Sequence, residues 1–220
     1  MTSTTKKRNA PSLAQLVLDA ILLEVDSGTL QPGERLVSSS IAKQLGISRA
    51  PVREALNVLA GRGIVDLRQD REAILRQISA QDLIDIWEIH HAIFDVGIRA
   101  AAQKFALQPQ PEALIAEFET VQRLAFGDSI FELFKALDQF HKSLNEIGGN
   151  PQVNQLIDIS TMGYVHRIMA KYVDIDKVGH HYAENYRRLY EALKAGDITG
   201  SRGIWRYHAD WSIEQVRSAL

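Results

Sequence analysis

Gly46-Ile47-Ser48-Arg49-Ala50-Pro51-Val52-Arg53-Glu54-Ala55-Leu56-Asn57-Val58-Leu59 reads as a helix with two unlike faces. Ser48 suits the N-cap, where a hydroxyl can accept from an otherwise unpaired backbone N–H. Pro51 falls in the first turn, where its missing N–H costs little. Val52, Ala55, Leu56 and Leu59 keep the i, i+3, i+4, i+7 spacing of a buried stripe. Arg49, Arg53 and Asn57 recur every fourth residue on another side, predicted to face solvent. Arginine can grip guanine or phosphate and asparagine can pair with adenine, so this edge carries the chemistry of major-groove reading. Gly61 and Gly63 close the helix.

The neighbouring segments support that reading. Ser38-Ser39-Ser40-Ile41-Ala42-Lys43-Gln44-Leu45 predicts a shorter capped helix joined through the tight turn at Gly46, which makes a helix-turn-helix. Ile64–Arg68 and Ala73–Ile78 are short strand-like runs around Gln69-Asp70-Arg71-Glu72, a predicted hairpin wing. Upstream, Ser12 can cap a helix holding Leu13, Leu16, Val17, Ala20, Ile21 and Val25, which ends near Ser27-Gly28. Leu30-Gln31-Pro32-Gly33 then forms a turn.

Gly33-Glu34-Arg35-Leu36, Ile41-Ala42 and Leu45 through Leu56, with the following Gly63-Ile64-Val65 and hairpin, resemble the winged-helix signature of GntR-type bacterial transcription regulators over roughly residues 10–78. The rest resembles the all-helical FCD effector domain of the FadR subfamily, in its shorter six-helix, VanR-like form. The resemblance implies that Arg49 and Arg53 carry the main DNA contacts, with Ser48 bonding phosphate and Arg71 at the wing tip. The whole expected DNA-contacting set is Ser39, Ser48, Arg49, Ala50, Arg53, Asn57 and Arg71. Two positions depart from the pattern: Ser39 replaces a frequent phosphate-binding arginine, and Glu72 stands where glycine is usual in the wing. An acidic tip weakens minor-groove insertion.

Composition sets the bounds. The 220 residues are 45% apolar and 24% charged, enough for substantial cores and too apolar for wholesale disorder. The absence of cysteine excludes disulfides and thiolate metal sites and is compatible with a reducing cytoplasm. Residues 1–80 hold 11 Lys/Arg against 8 Asp/Glu, net +3, and residues 81–220 hold 14 against 19, net −5. The asymmetry suits DNA contact through the first module alone. No apolar run reaches the 18 or more residues of a membrane span. Lys6-Lys7-Arg8 is followed by an interrupted segment with no small-residue cleavage site, so no signal peptide is expected and the cytoplasm is the expected location.

The expected organisation is a disordered basic arm at 1–10, a winged helix-turn-helix at 11–78 (three helices plus a β-hairpin), and an all-α bundle at 79–220, mainly α overall. Ser79 and Asp82 make a capping-box-like start at the boundary. Six helices are predicted beyond it, at about 80–106, 111–126, 129–147, 151–172, 178–195 and 197–217, separated by Pro, Gly and Asp/Asn clusters. Such a bundle has room for a cavity.

All seven histidines lie beyond residue 89. On the predicted helix 129–147, Leu133, Leu137, Phe140, Leu144 and Ile147 form an apolar stripe. Asp138, His141 and Asn145 form a polar stripe beside it, whose partners could be an ion, a ligand or water. The resemblance implies a divalent metal, Zn or Ni, held by an Asp one turn before a His and by two histidines on the last two helices. In this sequence Leu137 holds the Asp position with Asp138 one place late, Tyr186 stands for the third ligand, and His208 is kept. A reduced set of Asp138, His141 and His208 is the expected metal site, since a neutral phenol ligates poorly. The preferred reading is a core one, with His141 and His208 hydrogen-bonded to Tyr186 and Asp138, and the metal site is the alternative to it.

The resemblance also implies a small-molecule effector, a small organic acid or related metabolite, in the helical domain. His90 stands where an effector-facing arginine is usual and Phe94 where a glutamate is, which points to a less acidic or aromatic ligand. The expected effector set is His90, Phe94, Asp138, His141, Asn145, Tyr186 and His208, with Trp205, Trp211, Tyr164 and Met162 as further candidate lining. His180 and His181 are expected to face solvent.

The expected function is a ligand-responsive regulator, a repressor, binding double-stranded palindromic DNA as a homodimer, because one winged helix covers only a few base pairs. It is expected to be neither an enzyme nor a membrane protein. The rival readings are an architectural DNA-binding dimer without effector, and a metal-dependent hydrolase built on Asp138, His141 and His208 with an appended DNA-binding domain.

Overall fold

The computed structural model describes residues 12–68, 72–157 and 159–219. The chain separates into two compact units, one through Gln77 and one from Ile78 onward. The 1–10 arm and Arg71 lie outside the described residues.

In the first unit, α1 (Leu13–Asp26), α2 (Ser38–Leu45) and α3 (Arg49–Gly61) surround a core closed by a small sheet. Ser12 caps α1, its Oγ accepting from Gln15 N at 3.1 Å. Val17, Leu18, Ile21 and Val25 of α1 are buried, as are Val52, Ala55, Leu56 and Leu59 of α3. The two stripes face one another, which accounts for the α1–α3 packing. Gly46 joins α2 to α3 in the left-handed region (φ 67°), where a Cβ is disfavoured.

Two expected side-chain caps are not formed. α2 starts after Val37 without a side-chain hydrogen bond, and Ser48 holds the N-cap backbone conformation of α3 while its hydroxyl makes no capping bond. The wing consists of β2 (Val65–Leu67) and β3 (Ala73–Leu75), closed by Arg68 N to Glu72 O at 2.9 Å. A strand not anticipated, β1 (Arg35–Leu36), pairs antiparallel with β3 and completes a sheet of order β1-β3-β2. Arg35 on β1 reaches across to ion-pair with Glu72. The acidic residue at the wing is therefore partly neutralised rather than bare.

The second unit is all-helical among the described residues: α4 (Ala80–Phe105), α5 (Glu112–Leu124), α6 (Ile130–Gly148), α7 (Pro151–Leu156), α8 (Ile159–Met169), α9 (Ile175–Lys194) and α10 (Ile198–Ala219). The capping box of Ser79 and Asp82 is formed at the start of α4. The single helix expected at 151–172 is two, because Ile157 leaves helical geometry (φ −97°, ψ 95°) with its side chain buried. α4 packs between α6 and α10, and α9 lies on α10. Asp95 of α4 receives two hydrogen bonds from Arg202 of α10, at 3.0 and 2.6 Å, a bidentate tie between these helices. The core is built on Leu133, Phe134, Phe140 and Leu144 of α6 with Leu83, Ile98 and Phe105 of α4.

At Gly179 of α9 a Cβ would overlap the backbone carbonyl of Ala125, and backbone cannot swing aside. Gly179→Ala is expected to destabilise the second unit by about 1–3 kcal/mol or more, as overpacking does. A denaturant midpoint within error of the parent would contradict this close approach.

Candidate functional site

Two sites emerge, one in each unit. On α3 the apolar side is sealed, Val52 and Leu59 both at 0% exposure. Arg49, Ala50, Arg53 and Asn57 are exposed on the other side, with Ser48 and Ser39 exposed nearby. Among the described residues neither arginine has an ion-pair or hydrogen-bond partner. Folding thus leaves two full positive charges and an amide on one edge of a short helix whose opposite edge anchors it. The first unit also holds a hollow of about 180 Å³ between α1, β1 and α2, but no α3 side chain lines it.

The second site is a small cavity enclosed by α4, α6, α8, α9 and α10. Its aromatic wall is Trp87, Phe94, Phe134, Tyr182, Tyr186 and Trp205; its polar groups are His90, His91, Asp138, His141, His166 and His208. Among the described residues no Lys or Arg lines it. The free volume is about 20 Å³, close to what one water needs. Every lining residue is buried except His90, which is half-buried and marks the rim.

Burial holds the Tyr186 phenol protonated well above its usual range, and its oxygen is hydrogen-bonded to His141 Nε2 at 2.8 Å. Asn185 Nδ2 lies 3.4 Å from His208 Nδ1 and donates to it. Ser212 Oγ donates to the Ala209 carbonyl at 3.0 Å and accepts the Trp87 indole N–H at 3.1 Å. His91 Nε2, 2.7 Å from the same oxygen, is then a donor, and His91 Nδ1 remains a buried acceptor with no hydrogen-bond partner. Asp138 Oδ2 lies 3.3 Å from His166 Nδ1, an ion-pair separation without hydrogen-bond alignment. Burial raises the Asp138 carboxyl well above the usual range and lowers His166 to about 3, so burial disfavours the charged form of both partners. Burial likewise lowers His90 to about 4 and His91 and His141 to about 3, with neighbouring histidines adding to the last two; His208 is pushed down too.

Six of the seven expected effector residues line this cavity: His90, Phe94, Asp138, His141, Tyr186 and His208. Asn145 does not. It sits seven residues past Asp138, about 10 Å along the helix, and donates to Asn154 Oδ1 of α7 at 2.8 Å. Trp205 lines the cavity, whereas Trp211, Tyr164 and Met162 do not. His180 is exposed as expected, but His181 is half-buried and stacked on Trp211 with centroids 3.7 Å apart. Sequence reasoning missed His91, Trp87, Phe134, Tyr182 and, most consequentially, His166. The available signal for His166 was a polar ring set among the apolar Tyr164, Val165, Ile168 and Met169, which calls for a buried partner.

The metal expected from the resemblance does not fit this arrangement. His141 Nε2 and His208 Nδ1 are already engaged in hydrogen bonds, and Asp138 is paired with His166. Among the described residues no three His, Cys, Asp or Glu side chains are grouped to hold a metal ion. Tyr186→Phe removes the hydrogen-bond partner of the buried His141 imidazole and is expected to cost about 1–3 kcal/mol. Urea unfolding followed by tryptophan fluorescence checks it, and an unchanged midpoint would contradict the hydrogen bond.

Residues 13–74 match the model of bacterial regulatory proteins of the gntR family, and residues 85–210 match the FCD domain. The chain belongs to the GntR family. Its FCD domain places it in the FadR subfamily of these transcription regulators. It is 29% identical to a probable D-xylose utilization operon transcriptional repressor of Paenarthrobacter nicotinovorans, over 90% of this chain and 85% of that protein. The structure of Escherichia coli McbR/YncC is similar in fold, with TM-score 0.74 and 21% identity over 95% of this chain and 99% of that one. A GntR regulator of Rhodococcus sp. RHA1 is similar as well, with TM-score 0.76 and 19% identity over 96% and 100%. For this GntR regulator, no helix among the described residues is long and apolar enough to cross a membrane.

Proposed function

We propose that this regulator acts in the cytoplasm as a repressor that binds a palindromic operator as a homodimer and is released by a small organic effector. Residues 11–78 form the DNA-binding domain and 79–220 the effector-binding and dimerisation domain. The observation that carries the reading is the unpartnered edge of Arg49, Arg53 and Asn57 opposite the sealed stripe of α3. Arg49 and Arg53 grip phosphate or guanine, Asn57 reads an adenine edge, and Ser48, Ser39 and the Ala50 backbone sit against the phosphates. Arg71 serves the wing. The uncommitted Ser48 hydroxyl supports its place in that set.

His90, Phe94, Asp138, His141, Tyr186 and His208 form the effector site. A ligand that favours one spacing of the two readers shifts the population towards it, and release follows from the difference in affinity. The test is a gel-shift titration against DNA selected by the protein from a random pool. Two half-sites related by a two-fold axis support the dimer, and a single asymmetric half-site overturns it.

The small volume of the cavity favours one rival, an architectural dimer whose helices only hold the two readers. A metabolite that lowers operator affinity in the wild type, but not after Phe94→Ala and His141→Ala, decides for the effector reading.

A further inference from the structure

Among the described residues the effector cavity is lined by one carboxyl group and by no side-chain cation. We propose that it receives a protonated primary amine, the ammonium head of a small ligand seated against Asp138 among aromatic rings; the assignment rests on the effector reading above.

Among the described residues Asp138 is paired with the His166 ring, at 3.3 Å. An anionic ligand would bury a negative charge beside this carboxyl with no lining Lys or Arg to compensate it, an expensive burial. An ammonium reverses the balance: an opposite charge within ~4–6 Å favours the ionised carboxylate. The remaining groups agree. An ammonium offers three donors and no acceptor, and a neutral imidazole presents one bare acceptor nitrogen. His91 Nδ1, His90 Nδ1 and His166 Nδ1 are buried without hydrogen bonds. Trp205 and Phe94 supply π faces that attract a cation within about 6 Å of a ring centroid.

Size and spacing separate an ammonium from a metal ion. The void of about 20 Å³ matches one water-sized group. A divalent metal needs several donors converging at about 2.0–2.2 Å, whereas Tyr186 and Asn185 hold two of the imidazoles in hydrogen bonds. An ammonium is satisfied at ordinary distances of about 2.7–3.2 Å. His90, half-buried at the rim, is where the body of the ligand would emerge.

The test is thermal unfolding of the full chain, followed by tryptophan fluorescence, with methylammonium, ethanolamine, methanol, acetate and Zn²⁺ at matched ionic strength and pH 7. The two amines are expected to raise the melting temperature with saturation, and methanol and acetate are not. In an Asp138→Asn variant, with folding verified by circular dichroism, amine affinity should fall at least about tenfold, as loss of a charged hydrogen bond does. Phe94→Leu, which leaves the carboxyl in place, should weaken binding less. No amine shift, equal stabilisation by acetate, a shift that survives Asp138→Asn, or saturable Zn²⁺ binding that depends on Asp138 would each overturn the proposal. If amines fail while another metabolite still releases operator DNA through this cavity, the effector reading stands and only the ligand class is wrong.

Discussion

Changing Arg49 and Arg53 together to alanine is expected to reduce affinity for the selected operator by roughly 100-fold or more. Each arginine should account for about 1–3 kcal/mol, as side chains that contact base edges do. The physical ground is that both guanidinium groups are exposed and unpartnered, so their removal leaves the fold nothing to repair. Circular dichroism and melting of the variant should therefore match the parent. The slope of log affinity against log salt should also become shallower by about one for each phosphate that no longer meets a cation. Binding that survives at ordinary salt, or a variant that fails to fold, would contradict this assignment of α3.

Acidification is expected to unfold the helical unit between about pH 6 and pH 4 while the winged-helix unit persists. Burial lowers His91, His141 and His166 to about 3 and His90 to about 4, and it lowers His208 as well. A histidine whose folded pKa is depressed contributes stability above its unfolded value, near 6.5, and loses it as pH falls towards the folded value. Each can withdraw up to ~1.4 kcal/mol per pH unit in that window. Asp138 works the other way, because its raised folded pKa binds a proton that the unfolded chain releases above about pH 4. The net is about four protons taken up on unfolding, enough to exhaust a typical stability of ~5–15 kcal/mol within about two pH units. Trp87, Trp205 and Trp211 all lie in the helical unit, and the first unit contains no histidine. Tryptophan fluorescence thus follows one unit, and the other serves as an internal control. A flat fluorescence baseline from pH 6.5 to 4 would mean that Asp138 and His166 rest as an ionised pair and that the histidine core is more hydrated than its burial indicates.

Reading α3 from sequence succeeded because its stripe and its arginine edge are both local, each set by the 3.6-residue period and a cap position. The same holds for α1, for the wing and for the capping box at Ser79. What escaped the sequence was set by distance along the chain. β1 is two residues long and exists only because Arg35 and Leu36 pair with Ile74 and Ala73. Ile157 interrupts an apolar run that reads as continuous helix, because its buried side chain is placed by tertiary packing. In the cavity, α6 and the last two helices were legible through Asp138, His141, Tyr186 and His208. The partner of Asp138 was not, since His166 lies 28 residues away on a helix that shows no polar period. The Tyr186 substitution was visible as a letter, but its consequence was not. Only the 2.8 Å hydrogen bond shows the phenol taking the His141 nitrogen that a metal would need.

The chain contains no cysteine, so Asn57→Cys provides a unique attachment point on the exposed edge of α3. An iron chelate that cleaves DNA can be coupled there and the labelled protein bound to the selected operator. Strand scission should fall in two short clusters, one per half-site, with the offset between strands expected of a reagent in the major groove. Diffuse scission along the fragment, or scission no stronger than from a chelate placed by Leu107→Cys on the helical unit, would contradict the claim that this helix reads the DNA.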